Sequence, residues 1–387
     1  MWIFTSKYIK QGRLYVKAAE KKLAYNRDVW SAEACAELER HVASLKKALK
    51  EKNKSGVAEG EKAIEEFCKI HCPVGENAWI SENVEVVLVA IIVALGIRTY
   101  IVQPFTIPTS SMSPTLMGIT GHPTPEPPPN YAMQALQFAT HGRTWHEVIA
   151  KDDESVTSVT DFRRPFPRNF FTYTRIATDK GNEYFVNENV KTVSEELHVM
   201  RGPRYAKGDP IVRGYTDTGD HVFVNKFLYH FRKPSRGEVI VFLTQNIEFL
   251  GNLGPPPRKP SQFYIKRLAG IPGDELAIIP PQLFVNGHPG EELGFQRVAE
   301  GTRTNPAGAG YMGYGHDRER TSPVYLTEPA KKYIVPEKSY FPLGDNSYFS
   351  QDGRYFGAVP QENMCGTGFL VYWPFMRDKG THFGLIR

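Results

Sequence analysis

Cysteine is scarce in this sequence: Cys35, Cys68, Cys72 and Cys365 are the only four in 387 residues. So few, so unevenly spread, exclude a disulfide framework. Cys68 and Cys72 stand four apart and would share a helix face, but no second Cys or His pair at zinc spacing accompanies them, so they read as buried or idle thiols. A large charge of one sign is also missing. The formal net charge of +5 is small for this length, and the basic residues are not interleaved with aromatics, which argues against nucleic acid as a partner. Histidine- and metal-based catalytic signatures are absent. There is no G-x-S-x-G elbow and no H-E-x-x-H, and His146-Glu147 lacks a second His four residues after the first. No metal or organic cofactor is implied. Long uncharged apolar runs are absent too, with one exception.

That exception is V-V-L-V-A-I-I-V-A-L-G-I, from Val86 to Ile97. At about 1.5 Å per residue this core covers only ~18 Å of a ~30 Å hydrocarbon layer. Extended from Val84 to Val102 it reaches roughly 28 Å, with Glu85 and Arg98 near its ends able to snorkel toward headgroups. The sequence therefore predicts a single transmembrane helix over 84–102, the alternative being the core helix of a soluble protein. Fifteen Lys and Arg against eleven acids before Trp79 predict that residues 1–80 stay in the cytoplasm and the remainder is translocated.

Residues 1–80 are rich in Lys, Glu and Ala, and Ala32, Cys35, Leu38, Val42, Leu45 and Leu49 recur at helical spacing, which predicts one or two amphipathic helices. The opening stretch around Trp2, Phe4, Tyr8, Lys10 and Arg13 is compatible with a membrane surface and equally with packing on a neighbouring helix. It lacks the continuous apolar core of a cleavable signal peptide. After Gln103 the pattern changes to short β-like runs near Val222, Val239, Tyr264 and Leu370, separated by Gly and Pro, which predicts a mainly β domain over 103–387. Two excursions interrupt it, at about 121–208 and 282–337. The first opens with a proline-rich linker, Gly121 to Asn130, followed by one helix and then strands.

Candidate chemistry rests on serine and lysine. Immediately after the apolar helix, Pro104, Pro108 and Pro114 forbid further helix, so Ser110 and Ser111 sit on extended or turning backbone that can present a hydroxyl. His141, His146, His221 beside Asp220, and His382 are available as triad members, with no motif to place a serine against them. Ser44-Leu45-Lys46-Lys47 matches S-x-x-K, but on a highly charged helix and without S-D-N or K-T-G. Lys266 lies instead in an apolar strand-like run, where alternation sets it on the face opposite Ile265 and Arg267. An ordinary lysine of pKa ~10.4 is neutral at pH ~7.4 in about one molecule in a thousand, a deficit of ~4 kcal/mol that burial can reduce.

Taken together, four segments resemble, in order, the sequence boxes of bacterial type I signal peptidases. They are I-P-T-S-S-M-S-P-T-L (Ile107–Leu116), G-D-H-V-F-V-N-K-F with R-G-E-V-I-V-F (Gly219–Phe242), Y-I-K-R-L-A-G-I-P-G-D (Tyr264–Asp274) and G-D-N-S-Y-F-S-Q-D-G-R-Y-F-G-A-V-P (Gly344–Pro360). The resemblance implies a mainly β, antiparallel signal-peptidase-like catalytic domain behind one transmembrane helix and a helical cytoplasmic segment. It implies Ser111 as nucleophile and Lys266 as general base, with the oxyanion held by Ser111 N–H and the Thr109 hydroxyl, where the family commonly has serine. It further implies that Ser350 orients the lysine, that Asp352 and Arg354 brace the site, and that Phe105, Ile107, Met112, Leu116, Tyr264 and Ile265 line pockets for small side chains. Gly353 and Phe349 depart from the usual last box. The implied partners are exported preproteins, cut after A-x-A, and the lipid bilayer of a bacterial plasma membrane, with the catalytic domain outside and the chain a monomer. The competing readings are a non-catalytic binding protein on the same fold and a self-cleaving repressor.

Overall fold

The computed structural model describes residues 7–71, 78–163, 172–247, 261–300, 313–315, 324–377 and 380–386. The chain divides into two compact units, one ending at Val93 and the other starting at Ala94.

The first unit contains α1 (Lys7–Asn26), α2 (Ala32–Lys50) and α3 (Lys54–His71), one helix more than the periodicity predicts. The break falls at Lys52, which takes a left-handed conformation (φ 53°), and at Asn53, whose side chain accepts from Gly56 N and so caps α3. Val16 and Ala19 of α1 join Leu38, Val42 and Leu45 of α2 and Val57, Ile64 and Phe67 of α3 in one core. α1 packs on α2 and α3 through this core, while Trp2 and Phe4 of the opening stretch lie outside the described residues. Gly60 permits a close approach of α3 to α2, since a Cβ there would lie 3.1 Å from Leu45. Cys68 is half-buried beside this core, while Cys72 lies outside the described residues.

The helix α4 (Ala78–Tyr100) contains the apolar stretch Asn83–Tyr100, the only one among the described residues long and apolar enough to cross a membrane. From Val84 to Ile97 its Val, Leu and Ile side chains are exposed all round.

The second unit is built on an antiparallel sheet of β1 (Val102–Thr106), β2 (His221–Asn225), β3 (Val239–Leu243), β4 (Phe263–Gly270), β5 (Ser339–Leu343), β6 (Val359–Pro360), β7 (Met364–Trp373) and β8 (Gly384–Leu385). The spatial order is β1-β2-β7-β3-β4-β5-β6, with β8 on β7. Both faces are covered, and the pleat sorts the side chains. Val239 and Val241 of β3 pack with Val222, Val224, Ile107, Met112 and Leu116, whereas Ile240 and Phe242 pack with Leu268, Tyr340 and Phe356.

A second sheet, from Glu275–Ile279, Gln282–Val285, His288–Pro289 and Tyr333–Ile334, has its own core around Leu276, Ile278, Phe295 and Phe341. The first excursion carries the helix Tyr131–His141 and two further sheets, with a core around Val156, Ile176, Val193 and Val212. Its linker is only partly a linker. Thr120–Pro123 is a strand paired with Gly214–Asp217, so the excursion closes beyond residue 208, at the strand Pro210–Asp217. The sequence boundary misses this because the pairing joins residues about ninety positions apart.

Candidate active site

Ser111 sits in a short 3-10 turn, Ser110–Met112, entered from an extended Thr109 (φ −124°, ψ 152°). The prolines stop the helix, and the core anchors the residues after the serine: Met112 and Leu116 are fully buried. Gly118 passes so close behind the turn that a Cβ would lie 2.3 Å from Thr109 C, so no larger residue fits there. From the other side Asn346 grips the turn, its N donating to Ser111 O and its Nδ2 to Ser110 O, both at 3.1 Å.

Lys266 stands on β4 opposite Ile240 of β3 and is 5% exposed. Its Nζ lies 2.8 Å from Ser111 Oγ and donates to Ile265 O at 3.1 Å. Burial lowers its pKa from 10.5 to about 8; the Asp352 and Asp345 carboxylates oppose the shift and Arg354 assists it. With a pKa of about 8, about one fifth of the lysine is neutral at pH ~7.4, against about a thousandth for a free side chain. A neutral amine at hydrogen-bonding distance from a hydroxyl can take its proton.

Two buried arginine–carboxylate pairs surround this contact. Asp352 accepts from Arg354 Nε and Nη2, each at 2.9 Å, and from Gly344 N at 2.8 Å. Arg354 continues to Ser347 O and Gly315 O, so every donor direction is occupied by a buried acceptor. The second pair was missed in sequence. Arg267 donates from Nε to Asp345 Oδ1 at 2.8 Å and from Nη2 to Asp345 Oδ2 at 2.7 Å, and reaches Thr115 Oγ1 at 2.9 Å. Alternation does turn Arg267 away from Lys266, but that face is not solvent: the residue is 1% exposed. The available signal was an arginine inside an apolar strand, which needs a buried acid because both faces of the sheet are covered.

The other candidates divide. Thr109 is exposed, and its Oγ1 lies 3.5 Å from Ser111 Oγ. Ser350 is buried beside Gly344, where a Cβ would lie 2.0 Å from its Oγ, and that Oγ has no hydrogen-bond partner among the described residues. Ile107, Met112 and Leu116 are core residues, with Phe105 and Ile265 half-buried against the same cluster. Tyr264 instead packs on the other cluster, beside Phe242, with its ring 5.5 Å from Lys266 Nζ. The histidines stand apart from the serine. His146 Nε2 is 2.9 Å from Thr216 Oγ1 and His141 Nδ1 is 2.8 Å from Thr140 Oγ1, while His382 Nε2 is 2.8 Å from Asp220 Oδ2. Among the described residues no cluster of His, Cys, Asp and Glu is arranged to hold a metal ion.

Known proteins align with these same segments. The family described as signal peptidase, peptidase S26, matches residues 80–120 and 214–373, just over half of the chain and including Ser111, Lys266, Ser350, Asp352 and Arg354. A signal peptidase I of Leptolyngbya laminosa is 30% identical over 161 residues, covering 42% of this chain and 64% of that protein. One from Pseudomonas fluorescens is 30% identical over 198 residues, covering 43% and 63%. The chain thus spans somewhat less than two thirds of the length of these relatives. A crystal structure of a signal peptidase I from Enterococcus faecalis shares 28% identity over 35% of this chain and 97% of that one, with a TM-score of 0.23. The match leaves out the first excursion and keeps the sheet with both halves of the serine–lysine contact, so the chain belongs to the signal peptidase family of peptidases.

Proposed function

We propose that this chain is a membrane-bound endopeptidase that removes N-terminal signal peptides from exported preproteins, with Ser111 as nucleophile and Lys266 as general base. The observation that carries the reading is the buried lysine amine 2.8 Å from the serine hydroxyl. Ser111 Oγ attacks the scissile carbonyl carbon while its proton passes to neutral Lys266 Nζ. The resulting ammonium gives that proton to the leaving amine, which departs and leaves a Ser111 ester. Water then attacks the ester, its proton again passing to Lys266, and the acid product is released with the serine restored.

Ser111 N–H and the Thr109 hydroxyl hold the oxyanion, and the exposure of Thr109 leaves its side chain free to turn toward an incoming carbonyl. Ser350 orients the lysine amine, a role supported by its buried hydroxyl, which has no partner among the described residues. Asp352 and Arg354 brace the Gly344 backbone beside it. Phe105 and Ile265 line the accessible part of the apolar site, with Ile107, Met112 and Leu116 as its floor and Tyr264 flanking the lysine, which suits small side chains in an A-x-A pattern. The exposed apolar surface of α4 supports a single membrane span over Asn83–Tyr100, two residues shorter at its end than the sequence predicts because Val102 already belongs to β1. Residues 1–80 then lie in the cytoplasm and 103–387 on the outer side, in a chain that works as a monomer.

The test incubates the detergent-solubilised full chain with a preprotein bearing A-x-A. The native chain cuts after the second alanine, whereas Ser111→Ala and Lys266→Ala each lower the rate by roughly a thousandfold or more. Cleavage that survives either substitution would overturn the mechanism.

A further inference from the structure

Asp220 takes part in no step above, yet its carboxylate is fully buried between two basic side chains. Its backbone and side chain close both ends of the segment that carries Ser111. Ile107 N donates to Asp220 O at 2.8 Å, and Asp220 N donates to Met117 O at 2.9 Å. Met117 N donates to Asp220 Oδ2 at 2.7 Å. Gly219 allows this proximity, because a Cβ there would lie 1.7 Å from Ile107 O.

The carboxylate is held in turn by the end of the chain. Arg377 Nη2 donates to Asp220 Oδ1 and to Thr218 O, each at 2.7 Å, and His382 Nε2 lies 2.8 Å from Asp220 Oδ2. A carboxylate only accepts, so Nε2 is the nitrogen that carries the proton, and it does so in both the neutral and the charged imidazole. The strand Met376–Arg377 pairs with Gly380–Thr381, and Gly384–Leu385 adds to β7 at Val371 and Leu370. The C-terminal segment is thereby in register with the sheet that carries the site.

We propose that the C-terminal residues 376–377 and 380–385 position the nucleophile, with His382 and Arg377 acting through Asp220 on the Met117 amide. The inference rests on the reading of Ser111 as the nucleophile. Asp220 Oδ2 serves Met117 N and His382 at once, so losing the imidazole leaves a buried carboxylate short of one donor. It then turns toward Arg377 and loosens the Met117 amide. The Met117 end of the 107–117 segment keeps its carbonyl bond to Asp220 N but loses its amide anchor, and the freedom gained there is more than the serine–lysine alignment tolerates.

The experiment compares the full-length chain in detergent with His382→Leu and His382→Gln, whose amide keeps a donor at a similar reach. Backbone hydrogen exchange at Met117 is read beside the kinetics of preprotein cleavage. In His382→Leu the Met117 amide exchanges about tenfold faster and kcat falls about five- to tenfold with KM nearly constant, as expected for one lost hydrogen bond to a charged group. His382→Gln restores both. Unchanged exchange at Met117, a uniform rise across the whole sheet, or failure of Gln to restore would overturn the proposal. Where His382→Leu does not fold, Arg377→Met removes the other donor and is read in the same way. Exchange does not depend on catalysis, so an inactive native chain would refute the peptidase reading and still leave the clamp decided.

Discussion

The helical unit and the serine–lysine site handle charge in opposite ways. In α1–α3 the interior is Leu, Val, Ile, Ala and Phe, and ion pairs such as Lys46–Glu20 stay at the surface. Around the site Lys266 and Arg267 of β4 and Asp345, Asp352 and Arg354 of the connection between β5 and β6 are all nearly or fully buried. The first arrangement is what stability alone selects. The second carries a large desolvation penalty and persists because each charge except that of Lys266 meets a full set of partners. Lys266 has no ion-pair partner among the described residues, and burial pushes its amine toward neutrality against the pull of the Asp352 and Asp345 carboxylates.

The contrast can be tested by breaking each interior. Asp352→Asn strands Arg354 in the core and should lower stability by about 3–5 kcal/mol in denaturant unfolding, together with loss of cleavage. A loss near zero would mean the pair is solvated. Leu38→Ala, in the apolar helical core, should lower stability by about 3 kcal/mol through its cavity and leave cleavage by the folded enzyme unchanged.

Lys266→Met should raise stability by up to about 3 kcal/mol at neutral pH, since the folded-state pKa lies near 8 rather than 10.5. Below pH 8 both folded and unfolded lysine are charged, and the folded state bears the whole penalty. Between about 8 and 10.5 the unfolded chain binds more protons, so stability of the native protein rises with pH and the advantage of Met disappears. For the same reason kcat/KM of the native enzyme should rise with pH through an apparent pKa near 8. The smallest effect is expected for Glu20→Gln, less than about 1 kcal/mol, because its pair with Lys46 is half in water.

Contiguous features were legible in the sequence. Ser111 with its prolines, Lys266 in its apolar run and the D-G-R box are each local, and the β runs and the apolar helix follow from periodicity over a few residues. The third short helix was harder to read, because its boundary rests on one left-handed lysine and one asparagine cap. Arg267 and Asp345 were not read as a pair, since 78 residues separate them and neither belongs to a pattern that names the other. Asp220 and His382 were read as isolated triad candidates; their closeness to each other and their distance from Ser111 follow from the chain end returning to β7. Tyr264 and Ile265 were both read as lining pockets for small side chains; which face each takes was not separated, and as adjacent strand residues they join different cores.

The sequence by itself determined which residues have the chemistry: a hydroxyl on non-helical backbone, a lysine among apolar neighbours, and an apolar helix just before them. These follow from backbone sterics and side-chain polarity, which act over a few residues. Only the tertiary structure decided that the lysine reaches the serine, that burial outweighs two nearby carboxylates to lower its pKa, and that the chain end grips Asp220. Desolvation and hydrogen bonding depend on what surrounds a group in space, and strands far apart in the chain supply those surroundings.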